Sequence, residues 1–215
     1  TSGKIKDAEY TASLMIEDIY DFGCTNVILV VTDTCSTMKK CWEIVELEFP
    51  WISVLPCQPH VASLLLKDIG KIPAVEQLIK EEGTVVGWFA NHQKPLAILR
   101  SKVKAKFGRA KELIKAAATR FGTNTLVGQR LLELMQPLQS TVVDDEYIKM
   151  NYKDGEDIVE EGNATRVVRQ NKGATAKNLV LDMDMHNGFW ARCAEHVRVT
   201  TPIFKLLRRC AVTVN

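Results

Sequence analysis

The sequence predicts an α/β segment, with parallel strands and flanking helices, followed by an all-helical segment. Two short apolar runs, residues 26–33 and 51–55, alternate with stretches whose apolar side chains have helical spacing. The order helix, strand, helix, strand, helix indicates crossover connections and hence parallel strands. From Ile72 onward, about seventy residues show helical spacing without a convincing strand pattern, which predicts a helical array.

The first helix is predicted over residues 7–22, and Gly23 should end it as a left-handed cap. The strand that follows, 26–33, is apolar on both faces and ends in a carboxylate. Such a strand is typical of the middle of a sheet covered by helices.

A second helix is predicted over residues 37–48, and Pro50 ends it. The second strand covers 51–55. Pro59 suits the first turn of a third helix, which should extend to about Asp68.

The remainder is divided by Gly, Pro and Asn breaks into helical segments, which cover residues 73–90, 92–103, 107–118 and 124–138. Residues 140–178 are polar, and we expect loops with one or two weak helices there. A last helix is expected over 188–209. These patterns predict an organisation into segments 1–71, 72–138, 139–187 and 188–215.

Composition excludes several classes of protein. The chain has 215 residues, of which 46% are hydrophobic and 25% charged, as in soluble globular proteins. A formal net charge of +2 excludes a whole-protein field for nucleic acid, although not a local basic stripe. No run approaches the ~18 apolar residues of a membrane span. Because the chain opens with Thr1 and no apolar signal region, we interpret it as a piece of a longer protein.

The six cysteines form no CxxC pair and no zinc-finger pattern. A chain of this size can be stabilised by its core alone, so we expect reduced thiols in an intracellular protein.

Asp33 closes the first strand, where the backbone could hold its carboxylate at the sheet edge as a ligand for a divalent metal. Asp33 could equally cap the next helix.

Cys57 and His60 follow the second strand and should lie beside Asp33. They could share a metal or act as nucleophile and base, or His60 could be an ordinary buried, hydrogen-bonded residue.

Arg120 and Phe121 place a cation beside an aromatic ring, a pair that suits a phosphate and an unstacked base. A core phenylalanine and a solvated arginine would explain the same pair.

The second nucleic-acid candidate is a basic stripe between residues 100 and 115, which would meet a DNA backbone or form a solvated helical face. Its members are Arg100, Lys102, Lys104, Lys106, Arg109, Lys111 and Lys115.

Taken in order, several motifs resemble the plant and fungal domain of unknown function in hAT-superfamily transposases. They are Val-Thr-Asp-Thr at 31–34, Pro-Cys-Gln-Pro-His at 56–60 and Leu-Leu-Leu-Lys-Asp-Ile-Gly-Lys at 64–71. The likeness continues with Thr-Arg-Phe-Gly-Thr-Asn at 119–124, Phe-Trp at 189–190 and the late helix from Thr201. It is weakest in residues 140–180.

The resemblance implies a ribonuclease H-like fold interrupted by a helical insertion. It also implies two aspartates and a glutamate that hold Mg²⁺ or Mn²⁺ for DNA strand transfer in the nucleus. Asp33 matches the second aspartate, Cys57 and His60 match a motif near the catalytic centre, and Arg120 with Phe121 matches an Arg-Trp pair that meets a flipped base.

The departures from the family pattern imply a catalytically incomplete chain. The other two carboxylates would lie before Thr1 and after Asn215, Thr34 replaces the usual Asn, and Phe121 replaces Trp. We therefore expect a transposase-derived DNA-binding domain, with Arg100, Lys104, Lys106 and Arg109 among its contacts. The alternative is a domesticated scaffold or effector-type protein-interaction domain. In either case a second copy or a partner chain could complete the exposed sheet edge.

Overall fold

The computed structural model describes residues 7–117, 122–150, 156–161, 164–169 and 172–212. For 156–161, 164–169 and 210–212 it describes the backbone alone. The chain forms two compact units: one lies within Thr1–Leu65 and Lys205–Asn215, and the other within Leu66–Phe204.

The first unit has the predicted α/β order. Strands β1 and β2 pair in parallel, with Val30 opposite Val54, as the crossover order requires. The elements in sequence are α1 (Ala8–Phe22), β1 (Leu29–Thr32), α2 (Ser36–Glu48), β2 (Ser53–Pro56) and the start of α3 (Gln58–Gly70).

Local signals set the ends of α1. The Asp7 side chain accepts a hydrogen bond from the Tyr10 N–H at 2.8 Å, which satisfies one of the free donors of the first turn. At the other end, Gly23 has a φ of 83°, a conformation that side-chain-bearing residues rarely adopt. The predicted start and stop of this helix are confirmed, but with a ψ of 104° Gly23 does not take the left-handed helical conformation expected of the cap.

One face of the two-stranded sheet is buried. Ile19 of α1 and Val45 of α2 pack with Phe49, Ile52 and Val54 in a core cluster whose members are at most 8% exposed.

The opposite face is open: Leu29, Val31 and Leu55 are 44%, 55% and 49% exposed. The expectation that the first strand lies in the middle of a sheet covered on both faces is therefore wrong for the described residues. An apolar pattern shows which side chains can be buried, but it does not supply the neighbours that bury them.

In its described residues, the second unit is mostly helical and contains one hairpin. Its core is built from large side chains that are fully buried, such as Phe89, Leu131, Leu134, Leu138 and Phe189. The helices are α4 (Pro73–Asn91), α5 (Gln93–Phe107), α6 (Gly122–Val142), α7 (Asp145–Ile148), α8 (Lys172–Leu181) and the start of α9 (Phe189–Val212).

Two segments of this unit differ from the sequence prediction. Residues 108–117 are irregular although 107–118 was predicted as a helix, because Gly108 takes a left-handed conformation and caps α5. In the polar region, β3 (Glu156–Glu161) pairs antiparallel with β4 (Ala164–Arg169). Each of these strands has its two large apolar residues side by side, Ile158 with Val159 and Val167 with Val168, so the period-two alternation of apolar and polar residues is missing.

Across the described ranges, no helix combines the length and the apolar character needed to cross a membrane.

Candidate functional site

The carboxyl ends of β1 and β2 bring the predicted site residues of the α/β unit to one edge. Thr32 is paired with Pro56 in the register of the sheet, and the Cys57 N–H donates to the Thr32 carbonyl at 2.6 Å. Asp33 and Cys57 each follow directly on these paired ends. Parallel strands end on the same side of a sheet, which is where open α/β folds bind ligands.

The Asp33 carboxylate is exposed and is held by the turn that follows it. Its Oδ1 accepts the Cys35 N–H at 3.1 Å. Hydrogen bonds from the Cys35 backbone and side chain lower the pKa of Asp33, and the nearby His60 adds a smaller effect in the same direction. The N-cap of α2 is Cys35 rather than Asp33, so the carboxylate binds the capping residue instead of capping the helix itself.

Trp42 of α2 fixes the end of β1. Its indole Nε1–H donates to Thr32 Oγ1 at 2.7 Å, and this part-buried bond ties the helix to the residue before Asp33. The end of β1, which Asp33 follows, is therefore held in place by the Trp42 side chain as well as by its pairing with β2.

Cys57 and His60 lie at the start of α3, and both are partly buried. Among the residues that the structure describes, no group of three or more His, Cys, Asp and Glu side chains could hold a metal ion. The described residues therefore do not provide the donor set of a two-metal centre, and Asp33 stands there as a single carboxylate.

The basic stripe is partly neutralised within the helical unit. Arg100 pairs with Glu112 at 2.8 Å, Lys102 with Asp144 at 2.7 Å, and Lys111 with Glu133. Lys115 donates to Asn91 Oδ1 at 3.2 Å.

Four members of the stripe have no acidic partner among the described residues: Lys104, Lys106, Arg109 and Lys115, whose ammonium donates to the neutral Asn91 amide. Lys104, Lys106 and Arg109 are exposed, and Lys106 lies 5.2 Å from the ring centre of its neighbour Phe107. Arg120 and Phe121 lie outside the described residues.

One buried charged residue was not singled out by the sequence analysis. Glu82 of α4 is 1% exposed and follows Leu78 by four residues. It precedes Val85 and Val86 by three and four residues, so its spacing places it on the apolar face of the helix. An acidic residue at such a position is the signal that could have identified it.

Residues 1–85 match a family model described as "Domain of unknown function (DUF659)", a family associated with hAT-like transposase-derived proteins. The match covers the α/β segment, including Asp33, Cys57 and His60, and extends into α4. No curated protein and no solved structure matches the chain.

Proposed function

We propose that this chain is a hAT-like, transposase-derived domain that binds DNA and is catalytically incomplete. The observation that carries the proposal is the family match over residues 1–85, which coincides with the segment that holds Asp33, Cys57 and His60 at the sheet edge. The ribonuclease H-like fold and a nuclear location belong to the same proposal.

The DNA surface would be centred on Lys104, Lys106 and Arg109 at the end of α5 and just beyond it. Exposed cations without acidic partners are free to replace the counterions of a phosphate backbone. Arg100 would contribute after exchanging its partner Glu112 for a phosphate, and Arg120 with Phe121 would supply a phosphate contact and a stacking face.

In a catalytic form of the domain, Asp33 would be one ligand of Mg²⁺ or Mn²⁺, with Cys57 and His60 beside it. Further carboxylates would be needed to complete the donor set, because the described residues offer no group that could hold an ion. The proposed activity of this chain is therefore binding without strand transfer.

The proposal is tested by a fluorescence-anisotropy titration of short double- and single-stranded DNA with the chain. The titration is made in the presence of Mg²⁺ at two salt concentrations. We expect salt-sensitive binding that is lost at moderate salt in the triple variant Lys104→Glu, Lys106→Glu, Arg109→Glu. A matched control reverses three exposed lysines elsewhere, Lys39, Lys40 and Lys149. Affinity that falls equally in both variants, or in neither, would contradict a DNA surface on α5.

The second candidate function is a domesticated scaffold that binds protein. The open apolar face formed by Leu29, Val31 and Leu55 favours it, because such faces mark interaction sites. Absence of DNA binding at low salt, together with an unchanged fold, would select this alternative.

A further inference from the structure

The helical unit contains a groove that lies apart from Lys104, Lys106 and Arg109. It has a volume of about 290 Å³ and runs along one face of α4, with the start of α6 and part of the preceding segment also lining it.

The walls of the groove are largely apolar. Ile79, Val86 and Val127 contribute to them. Gly83 and Gly87 line the groove as well and leave it open, because a Cβ added at either glycine would meet nothing within 4 Å. The groove can therefore receive an apolar body.

The polar side of the groove carries a cation, Lys115, which is exposed. Its ammonium donates to Asn91 Oδ1 at 3.2 Å, and Asn91 and Asn124 also line the groove. Among the described residues no acidic side chain pairs with Lys115, and Asn91 takes one of its three N–H donors. The other two are available to an acceptor that enters the groove.

The acid that also lines the groove, Glu82, does not offset this positive charge at the surface. Both of its carboxylate oxygens are closed to solvent. The Cys193 side chain hydrogen-bonds to Glu82, and His196 Nδ1 lies 3.7 Å from Oε1. Gly128 of α6 packs so closely against the same oxygen that a Cβ there would lie 3.0 Å from it. The carboxylate is therefore held inside the helical unit, and a ligand in the groove meets Lys115 as the accessible charge.

We propose that this groove binds a small organic carboxylate with a compact apolar body. The carboxylate oxygens would accept hydrogen bonds from the Lys115 ammonium and from the side-chain amides of Asn91 and Asn124. The apolar body would lie against Val86 and Val127. Apolar walls around an ion pair reduce its screening by water and so strengthen it. The volume is at the lower end of the roughly 300–1,000 Å³ of ligand pockets, which favours a small molecule over a peptide segment.

The test is an NMR titration of the ¹⁵N-labelled chain with sodium isovalerate at neutral pH. Isovaleramide is the neutral isostere, isoamylammonium is the cation of similar shape, and sodium chloride controls for ionic strength. We expect saturable shifts of the Gly83 and Gly87 amides with the carboxylate alone. Because Lys104, Lys106 and Arg109 do not line the groove, this result and that of the DNA titration are separate.

Two substitutions separate the charge of Lys115 from other effects. Lys115→Met keeps the apolar stem and removes the ammonium, and it should weaken isovalerate binding at least tenfold. Lys80→Met is the matched control, because Lys80 is an exposed lysine of α4 that does not line the groove. It should change the affinity less than twofold.

A third variant tests the groove itself. Gly87→Leu fills it from a helix position with open space, and it should abolish the shifts while circular dichroism stays unchanged. Absence of saturable shifts with isovalerate, equal shifts with isovaleramide or isoamylammonium, or undiminished binding in Lys115→Met or Gly87→Leu would each overturn the proposal.

Discussion

At the scale of single residues, the charge of Asp33 is set by its local turn. The N–H of Cys35 is aimed at one oxygen of this exposed carboxylate, and the hydrogen bonds from Cys35 outweigh the opposing effect of desolvation on its pKa. A carboxylate that accepts hydrogen bonds holds its proton less tightly than a free one. His60 adds a positive potential when it is protonated.

We expect the pKa of Asp33 to lie below its ordinary value in the folded chain, and to rise towards that value in His60→Ala. Because the folded-state pKa is the lower one, the ionised carboxylate stabilises the fold above the unfolded-state pKa. This contribution is lost as the pH falls through the folded-state pKa. A ¹³C NMR titration of the Asp33 carboxyl measures both values, and a pKa at or above the ordinary one would contradict the hydrogen-bonded turn.

The two acidic residues of interest differ in how far the sequence could predict them. Asp33 follows a strand, so its place at the sheet edge follows from the local pattern. The surroundings of the Glu82 carboxylate depend on where α6 and α9 put Gly128, Cys193 and His196, more than forty residues away in the chain. Spacing could place Glu82 on a buried face, but only the packing shows which side chains lie beside it.

At the scale of helices and strands, the sequence predicts best those helices whose ends are marked by a capping residue, a glycine or a proline. Asp7 and Gly23 fix α1, and Pro73 opens α4 at its first position. The segment after α5 was misassigned because the apolar spacing continues past Gly108, while the left-handed turn at that glycine ends the helix. The hairpin was missed because its strands lack alternation.

The central helix α6 should carry much of the stability of the helical unit. Leu134 is fully buried in its core cluster, so Leu134→Ala removes apolar contacts and leaves a cavity. We expect a loss of about 2–5 kcal/mol in the free energy of unfolding, measured by urea denaturation. Leu14→Ala, at an exposed helix position, should cost less than about 0.5 kcal/mol. Similar losses in both variants would contradict the assigned core.

At the scale of the whole molecule, the two-stranded sheet is the feature that most invites a partner. In the described residues each strand pairs only with the other, so each has an outer edge without a strand neighbour. One face of the sheet also exposes Leu29, Val31 and Leu55. Unpaired edges and apolar faces are where chains associate.

We expect the chain to self-associate as its concentration rises, and the triple variant Leu29→Thr, Val31→Thr, Leu55→Thr to remain monomeric at the same concentrations. Threonine keeps the strand preference while it removes apolar surface. Size-exclusion chromatography with light scattering measures the mass directly.

The control for this experiment changes three exposed leucines on helices, Leu14, Leu47 and Leu181, to Gln. If these changes suppress association as strongly as those in the sheet, the sheet face is not the surface responsible. A wild-type chain that stays monomeric at every concentration would also contradict association through the sheet.

The internal ion pairs of the basic stripe set how steeply DNA binding would depend on salt. Each phosphate neutralised by a protein cation releases counterions, and the slope of log K against log[salt] is about −0.9 per contact. Contacts from Lys104, Lys106, Arg109 and Arg100 would give a slope near −3.6, whereas all seven members of the stripe would give one near −6.3. Lys102 and Lys111 are paired with Asp144 and Glu133, and Lys115 donates to Asn91. The pairing within the fold would therefore make the salt dependence of DNA binding less steep than the full stripe would.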